Sequence, residues 1–220
     1  MEIVKANEIE KNKHFTALIY GQAGMGKTTT LSSLKGRTLI LDVDGSSFVL
    51  AGCENIDVVK MNPKEPHKEF GEFYKYVLKH QNEYDNVVID NLSHFSKLWL
   101  IERSKHTKSG QPELRDYGLL DNLIVEAVSA YKNLDLNVVF TAWEVEKEIT
   151  MDSGRVYNKF YPDLRDKIIN NVMGIIPIVA RLVTDSEGER IYALTATLST
   201  YAKNQYDDRQ MAKQLELFKF

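Results

Sequence analysis

The chain has 220 residues, 28 basic and 31 acidic side chains and a net charge of −3. That length suits one α/β domain with a sizeable core, and 43% hydrophobic with 27% charged residues excludes overall disorder, collagen and coiled coil. The charge balance does not announce nucleic-acid binding, which has to come from local clusters or from many subunits presenting small ones together.

Cys53 is the single cysteine, so neither an intrachain disulfide nor a Cys-rich zinc site is expected, and it reads as a small buried hydrophobe. The opening MEIVKANEIEKNK lacks the apolar core of a signal peptide. No run approaches the roughly 20 apolar residues that span a bilayer. A reduced, cytoplasmic protein with no membrane partner is the expectation.

Residues 1–13 are polar and read as a loose lead-in, with 14–220 as a single domain, since no repeat and no Pro/Gly-rich linker divides them. Short apolar runs at Phe15–Tyr20, Thr38–Asp42, Ile56–Lys60, Asn86–Asp90 and Asn137–Thr141 have the texture of parallel strands covered on both faces. Between them lies helical periodicity. Phe70, Phe73, Tyr74, Val77 and Leu78 share one face, as do Leu120, Leu123, Ile124, Ala127, Val128 and Tyr131, and 92–104 is a third helix. Alternating strands and helices predict a mainly parallel central sheet flanked by helices. After residue 144 the pattern predicts a hairpin (Val145–Met151 with Arg155–Tyr161), a short helix over 163–173 and a second hairpin (Ile175–Thr184 with Glu189–Leu198). Both hairpins are expected to extend the sheet edge in antiparallel fashion, and the tail from Asp208 is expected to be helical.

Gly21-Gln22-Ala23-Gly24-Met25-Gly26-Lys27-Thr28 matches the G-x-x-x-x-G-K-[ST] phosphate loop, between a strand and a helix-compatible run. Such a loop turns backbone N–H groups inward around phosphate, and the helix adds its positive end. Lys27 is expected to reach the β- and γ-phosphates, Thr28 to ligate Mg²⁺, and Thr29 to complete the ATP-binding stretch. Asp90 ends an apolar strand, as the metal-holding carboxylate of such a site does. The next residue is Asn91, which cannot serve as a base, so Asp44 of Asp42-Val43-Asp44-Gly45 is the candidate for positioning the attacking water. Strand alternation puts Asp42 and Asp44 on one side. At the end of the fifth run, Thr141 is the first candidate to sense the γ-phosphate and Glu144 the second. His14, His67, His80, His94 and His106 show no metal-ligand spacing and read as surface or packing residues.

The phosphate loop, the D-x-D-G, V-V-I-D-N-L-S, V-V-F-T-A-W-E and a late A-K-N-Q-Y-D-D occur in that order. In order and spacing the chain resembles phage nucleotide-binding proteins with a RecA-like ATPase core, including the short, core-only annealing proteins of the Sak group. The resemblance covers roughly residues 14–210. It implies a RecA-like P-loop NTPase that oligomerises, as ring or filament, and acts on single-stranded DNA in recombination, with a single-strand binding protein as a further candidate partner. It also implies that Lys203 reaches a neighbouring subunit's nucleotide. Three positions depart from the family pattern: Asp44 stands for Glu, Trp143 for His and Gln205 for Arg.

In the resemblance, DNA-facing loops follow the fourth strand and the fifth. Arg103, Lys105 and Lys108 match the first place. Arg155, Tyr157, Lys159 and Phe160 match the second, where cations can track phosphates and aromatics can stack on bases. Two other readings remain at this stage. A small-molecule kinase would need an arginine-rich lid, which is not evident. A nucleotide-gated adaptor would bind ATP without DNA-stimulated turnover.

Overall fold

A computed structural model of the chain describes Lys5 and residues 13–220; of the expected lead-in, residues 1–4 and 6–12 lie outside them. All five apolar runs are strands: β1 (Thr16–Gly21), β2 (Thr38–Asp42), β3 (Ile56–Lys60), β4 (Asn86–Asp90) and β5, which continues from Asn137 to Thr150. Five further strands follow: β6 (Val156–Pro162), β7 (Ile178–Thr184), β8 (Arg190–Ala193), β9 (Lys203–Asn204) and β10 (Met211–Lys213). The sheet order is β3-β2-β4-β5-β1-β7-β8-β10, with β6 on β5 and β9 on β7. From β3 to β7 every pairing is parallel.

Alternation divides the strands between two cores. Leu18, Tyr20, Leu41 and Ile89 face one side, where α2 (Pro66–His80), α3 (Leu92–Ser104), α4 (Leu114–Lys132) and α5 (Asp166–Ile175) cover them. Ala17, Ile19, Ile40, Val88 and Val139 face the other, under Leu31, Leu34, Leu50, Tyr192 and Leu217. Burial on both faces is why β1, β2 and β4 read as unbroken apolar runs. The helices bury the stripes their spacing predicts, such as Phe70, Phe73 and Val77 of α2 and Leu120, Ile124, Val128 and Tyr131 of α4. Pro66 starts α2, and a Glu113–Asp116 capping box starts α4. The helix after the phosphate loop, α1, runs only Lys27–Thr30 before tightening into a 3₁₀ turn at Leu31–Ser33.

Three expectations are corrected. The first hairpin does not extend the sheet edge: β5 is a central strand, and its second half, Glu144–Thr150, leaves the sheet to pair with β6 as a projecting ribbon. In the second hairpin only β8 is antiparallel, because β7 lies parallel to β1. The tail is not helical. Met211–Lys213 forms β10 against β8, followed by a 3₁₀ turn at Gln214–Glu216. A lone helix of that length is marginal in water. Pairing instead covers the open edge of β8 and buries Ala212, while Leu217 and Phe218 enter the second core.

One ion pair ties the ribbon's root to the far side of β1. Arg181 of β7 donates to Glu144 of β5 at 2.6 and 3.2 Å and to Thr200 Oγ1 at 2.8 Å. Its guanidinium lies 3.7 Å from the Phe160 ring centroid. The side chains are 12% and 4% exposed, so neither charge is left to water. Arg181→Ala strands a buried carboxylate, and a loss of about 3–5 kcal/mol in denaturant unfolding is expected. A change below about 1 kcal/mol would contradict that reading.

Candidate nucleotide site

The parallel register brings the ends of β1, β4 and β5 to one edge of the sheet. Gly21 pairs with Trp143, Leu18 with Phe140, and Ile89 with Phe140 in turn. A cavity of about 540 Å³ opens at that edge, lined by the phosphate loop, Asp44, Ser46, Asp90, Asn91, His94, Trp143 and Arg190.

Two glycines of the loop have specific reasons. Gly26 has φ +97°, and a Cβ there would lie 2.7 Å from Gln214 Nε2 and 2.9 Å from Arg190 Nη1. A Cβ at Gly21 would lie 2.9 Å from the Leu182 carbonyl oxygen, so β1 and β7 could not keep their spacing. Ala23, Gly24, Thr28 and Thr29 line the cavity. Met25 instead packs against the second core, and Gln22 contributes its carbonyl. Lys27 Nζ donates to the carbonyls of Gly21 and Gln22, both at 2.9 Å. Burial pulls its pKa down, while the charges of Asp90, Asp44 and Glu144 oppose that shift.

Asp90 is 2% exposed. Thr28 Oγ1 donates to its Oδ2 at 2.7 Å, Ser46 Oγ reaches the same oxygen at 3.4 Å, and Thr141 Oγ1 donates to Oδ1. Burial pushes the carboxyl's pKa upward against the two threonine hydrogen bonds. Thr141 therefore reaches the pocket through Asp90. Asp44 lines the cavity, with Oδ1 accepting from Ser46 N at 3.1 Å and Oδ2 accepting from Asn91 Nδ2. Asp42 and Asp44 divide their tasks. Asp42 is buried and accepts from the backbone of Gly45, Ser46 and Ser47 at 2.9, 3.1 and 3.3 Å, which shapes the turn that presents Asp44.

The remaining expected residues lie elsewhere. Glu144 is held by Arg181 and does not line the cavity. Lys203 Nζ donates to the Met173 and Gly174 carbonyls at 2.7 and 3.1 Å, capping the end of α5. Arg103 is bound to Asp116 at 2.9 Å, whereas Lys105 and Lys108 are exposed in the following loop. On the ribbon, Arg155 is exposed, Tyr157 is half-buried, Lys159 lies over Tyr161 and Tyr201, and Phe160 lies under Arg181.

Sequence reasoning missed Ser46, Asn91, His94 and Arg190. Asn91 directly follows Asp90 and Ser46 stands two residues after Asp44, so closeness in sequence was a usable signal. Arg190 arrives from β8, where no local pattern marks it. His94 is a correction: rather than a plain packing residue, it lines the cavity.

The oxygen-only set of Thr28, Ser46 and Asp90 suits Mg²⁺, which takes few protein ligands and shares the rest with phosphate and water. Thr28 and Asp90 would hold the ion, which when bound neutralises phosphate charge. A strand–loop–helix with its lysine and threonine, and a strand-end aspartate bonded to that threonine, define a P-loop nucleotide-binding ATPase domain. The chain belongs to the AAA domain family, whose model matches residues 13–206. Membership implies ATP binding. No match is found among curated proteins. Among the described residues, no helix is long and apolar enough to cross a membrane.

Asp90→Asn keeps the shape of the site and removes the charge. Mg²⁺-dependent strengthening of ATP binding should fall on the order of 10–100-fold, with Mg²⁺-free binding little changed. Calorimetric titration with and without chelator reads both.

Proposed function

We propose that the chain is a Mg²⁺–ATP-dependent ATPase with a RecA-like core, of phage type, that assembles into rings or filaments and binds or anneals single-stranded DNA during recombination. One observation carries the reading: β5 bonds Asp90 through Thr141, borders the cavity at Trp143 and runs straight on into the projecting ribbon. A ribbon rooted beside the nucleotide, with Arg155 at its turn and Lys159 on β6, suits an ATPase whose DNA contact answers to its nucleotide.

In this reading Lys27 holds phosphate, Thr28 and Asp90 hold the metal, Asp44 orients the attacking water and Thr141 senses through Asp90. Arg155, Lys159 and Tyr157 of the ribbon and Lys105 and Lys108 of the loop meet DNA. A chain of net charge −3 gains by repeating these small patches in an assembly. Phe48, 75% exposed at the cavity's mouth, suits coverage by a neighbouring copy. A single-strand binding protein as a further partner rests on family resemblance.

A second reading, a nucleotide-gated adaptor with little hydrolysis, is favoured by the hydrogen bonds that already occupy Asp44 and by the in-chain partners of two late cations. Lys203 is held by carbonyls, and Arg209 by Asp207 and the carbonyls of Glu216 and Leu217.

ATP turnover measured with and without single-stranded DNA, at several protein concentrations, separates the two. Turnover that rises with DNA, and more than linearly with protein, is expected. Flat, DNA-independent turnover with intact ATP binding supports the adaptor. Lys27→Ala should abolish nucleotide binding, and unchanged ATP affinity would remove the site assignment. Joint Arg155→Glu and Lys159→Glu should weaken single-strand binding at least about tenfold in fluorescence anisotropy, with ATP affinity retained.

A further inference from the structure

The polar side chains around the cavity are mostly spoken for: Lys27 by carbonyls, Thr28 by Asp90, and Asp44 by Asn91. His94 is different. It sits in the first turn of α3, where Asn91 Oδ1 caps its backbone N–H at 2.7 Å, and its ring lines the cavity. Its Nδ1 is buried with no hydrogen-bond partner. An imidazole can donate one N–H to an anionic oxygen, and with Nδ1 enclosed the ring's accessible nitrogen, Nε2, is the one open to such a partner.

The ring also meets Trp143, at 5.4 Å between centroids. Trp143 is where β5 leaves the sheet, and α3 holds it on three counts. Its backbone N–H donates to Ser93 Oγ at 2.9 Å, and Lys97 Nζ lies 4.4 Å from its ring centroid. Lys97 also bonds Asp163 at 3.1 Å, and Asp163 N–H donates to the Trp143 carbonyl at 2.7 Å. Asp163 directly follows β6, so the ribbon's two strands are joined at this point. His94 thus touches the residue at which both strands are rooted.

We propose that His94 binds the terminal phosphate of a nucleoside triphosphate and, through Trp143, reports its presence to the β5–β6 ribbon. The proposal rests on the nucleotide-binding reading above and adds what distinguishes triphosphate from diphosphate. The two tryptophans are Trp99 and Trp143, so the difference between the unaltered chain and Trp143→Phe isolates the Trp143 emission.

The test titrates the Mg²⁺ complexes of a non-hydrolysable ATP analogue and of ADP, reading affinity by calorimetry and Trp143 emission in parallel. The analogue should change the emission where ADP does not. His94→Leu, similar in volume but without a donor, should lose that difference and bind the analogue about tenfold more weakly, the ratio one hydrogen bond to a charged group carries. ADP affinity, which also reports folding of the variant, should hold. His94→Gln keeps an N–H donor and should retain part of the analogue's advantage. Equal losses for both nucleotides, or an emission change that survives His94→Leu, would overturn the assignment. Binding of both nucleotides with identical Trp143 emission in the unaltered chain overturns the His94 proposal alone. Failure of either nucleotide to bind overturns both readings.

Discussion

The Asp90 carboxylate holds the site together. It is buried at the end of β4, and hydroxyls from three other segments converge on it: Thr28 after the phosphate loop, Thr141 on β5 and Ser46 after β2. A buried carboxylate requires such partners, because desolvation disfavours its charge. The same requirement aligns the four segments, so the phosphate loop, the Asp44 turn and the β5 strand end are positioned by one group. The parallel sheet makes this possible, since β2, β4 and β1 end at the edge where β5 leaves the sheet.

The second organising feature is the length of β5. A central strand normally ends with its sheet. This one runs on past Trp143 and pairs there with β6. The Glu144–Arg181 pair anchors the ribbon's root across to β7, and α3 clasps it from the other side through Ser93 and Lys97. The ribbon is therefore rooted in the residues that border the cavity. Its own aromatics divide between packing and exposure. Phe160 and Tyr161 contact Arg181 and Tyr201 near the root, while Arg155 toward the tip stays exposed.

Lys203, the cation expected to act between subunits, and Arg209, another late cation, both have intrachain partners. Lys203 closes the carbonyl end of α5, a stabilising position for a positive charge. Arg209 organises the C-terminal turn through Asp207 and two carbonyls. Arg190 instead reaches the phosphate loop from β8, beside Gly26.

Much of this was legible in the sequence. The unbroken runs of β1, β2 and β4 could only be strands buried on both faces, and the apolar spacing of α2 and α4 predicted the faces they bury. The loop motif, Asp90 and Asp44 were readable because each sits at or just past a strand end, where short-range pattern and chemistry coincide. The expected helix after Asp208 failed because local periodicity cannot register that β8 offers an unpaired edge. The hairpin geometry failed similarly: two alternating segments around Asp152-Ser153-Gly154 announce a turn, but not whether their strand lies at the edge or the centre of the sheet. His94 looked like a packing residue because nothing nearby in sequence shows that α3 starts at the cavity and turns its ring toward Trp143, 49 positions later. The sequence by itself thus determined the strands, the helices and the phosphate-binding chemistry, which depend on neighbours a few residues apart. Tertiary structure alone decided strand order, the partners of the late cations and the company His94 keeps, because those depend on contacts between segments far apart along the chain.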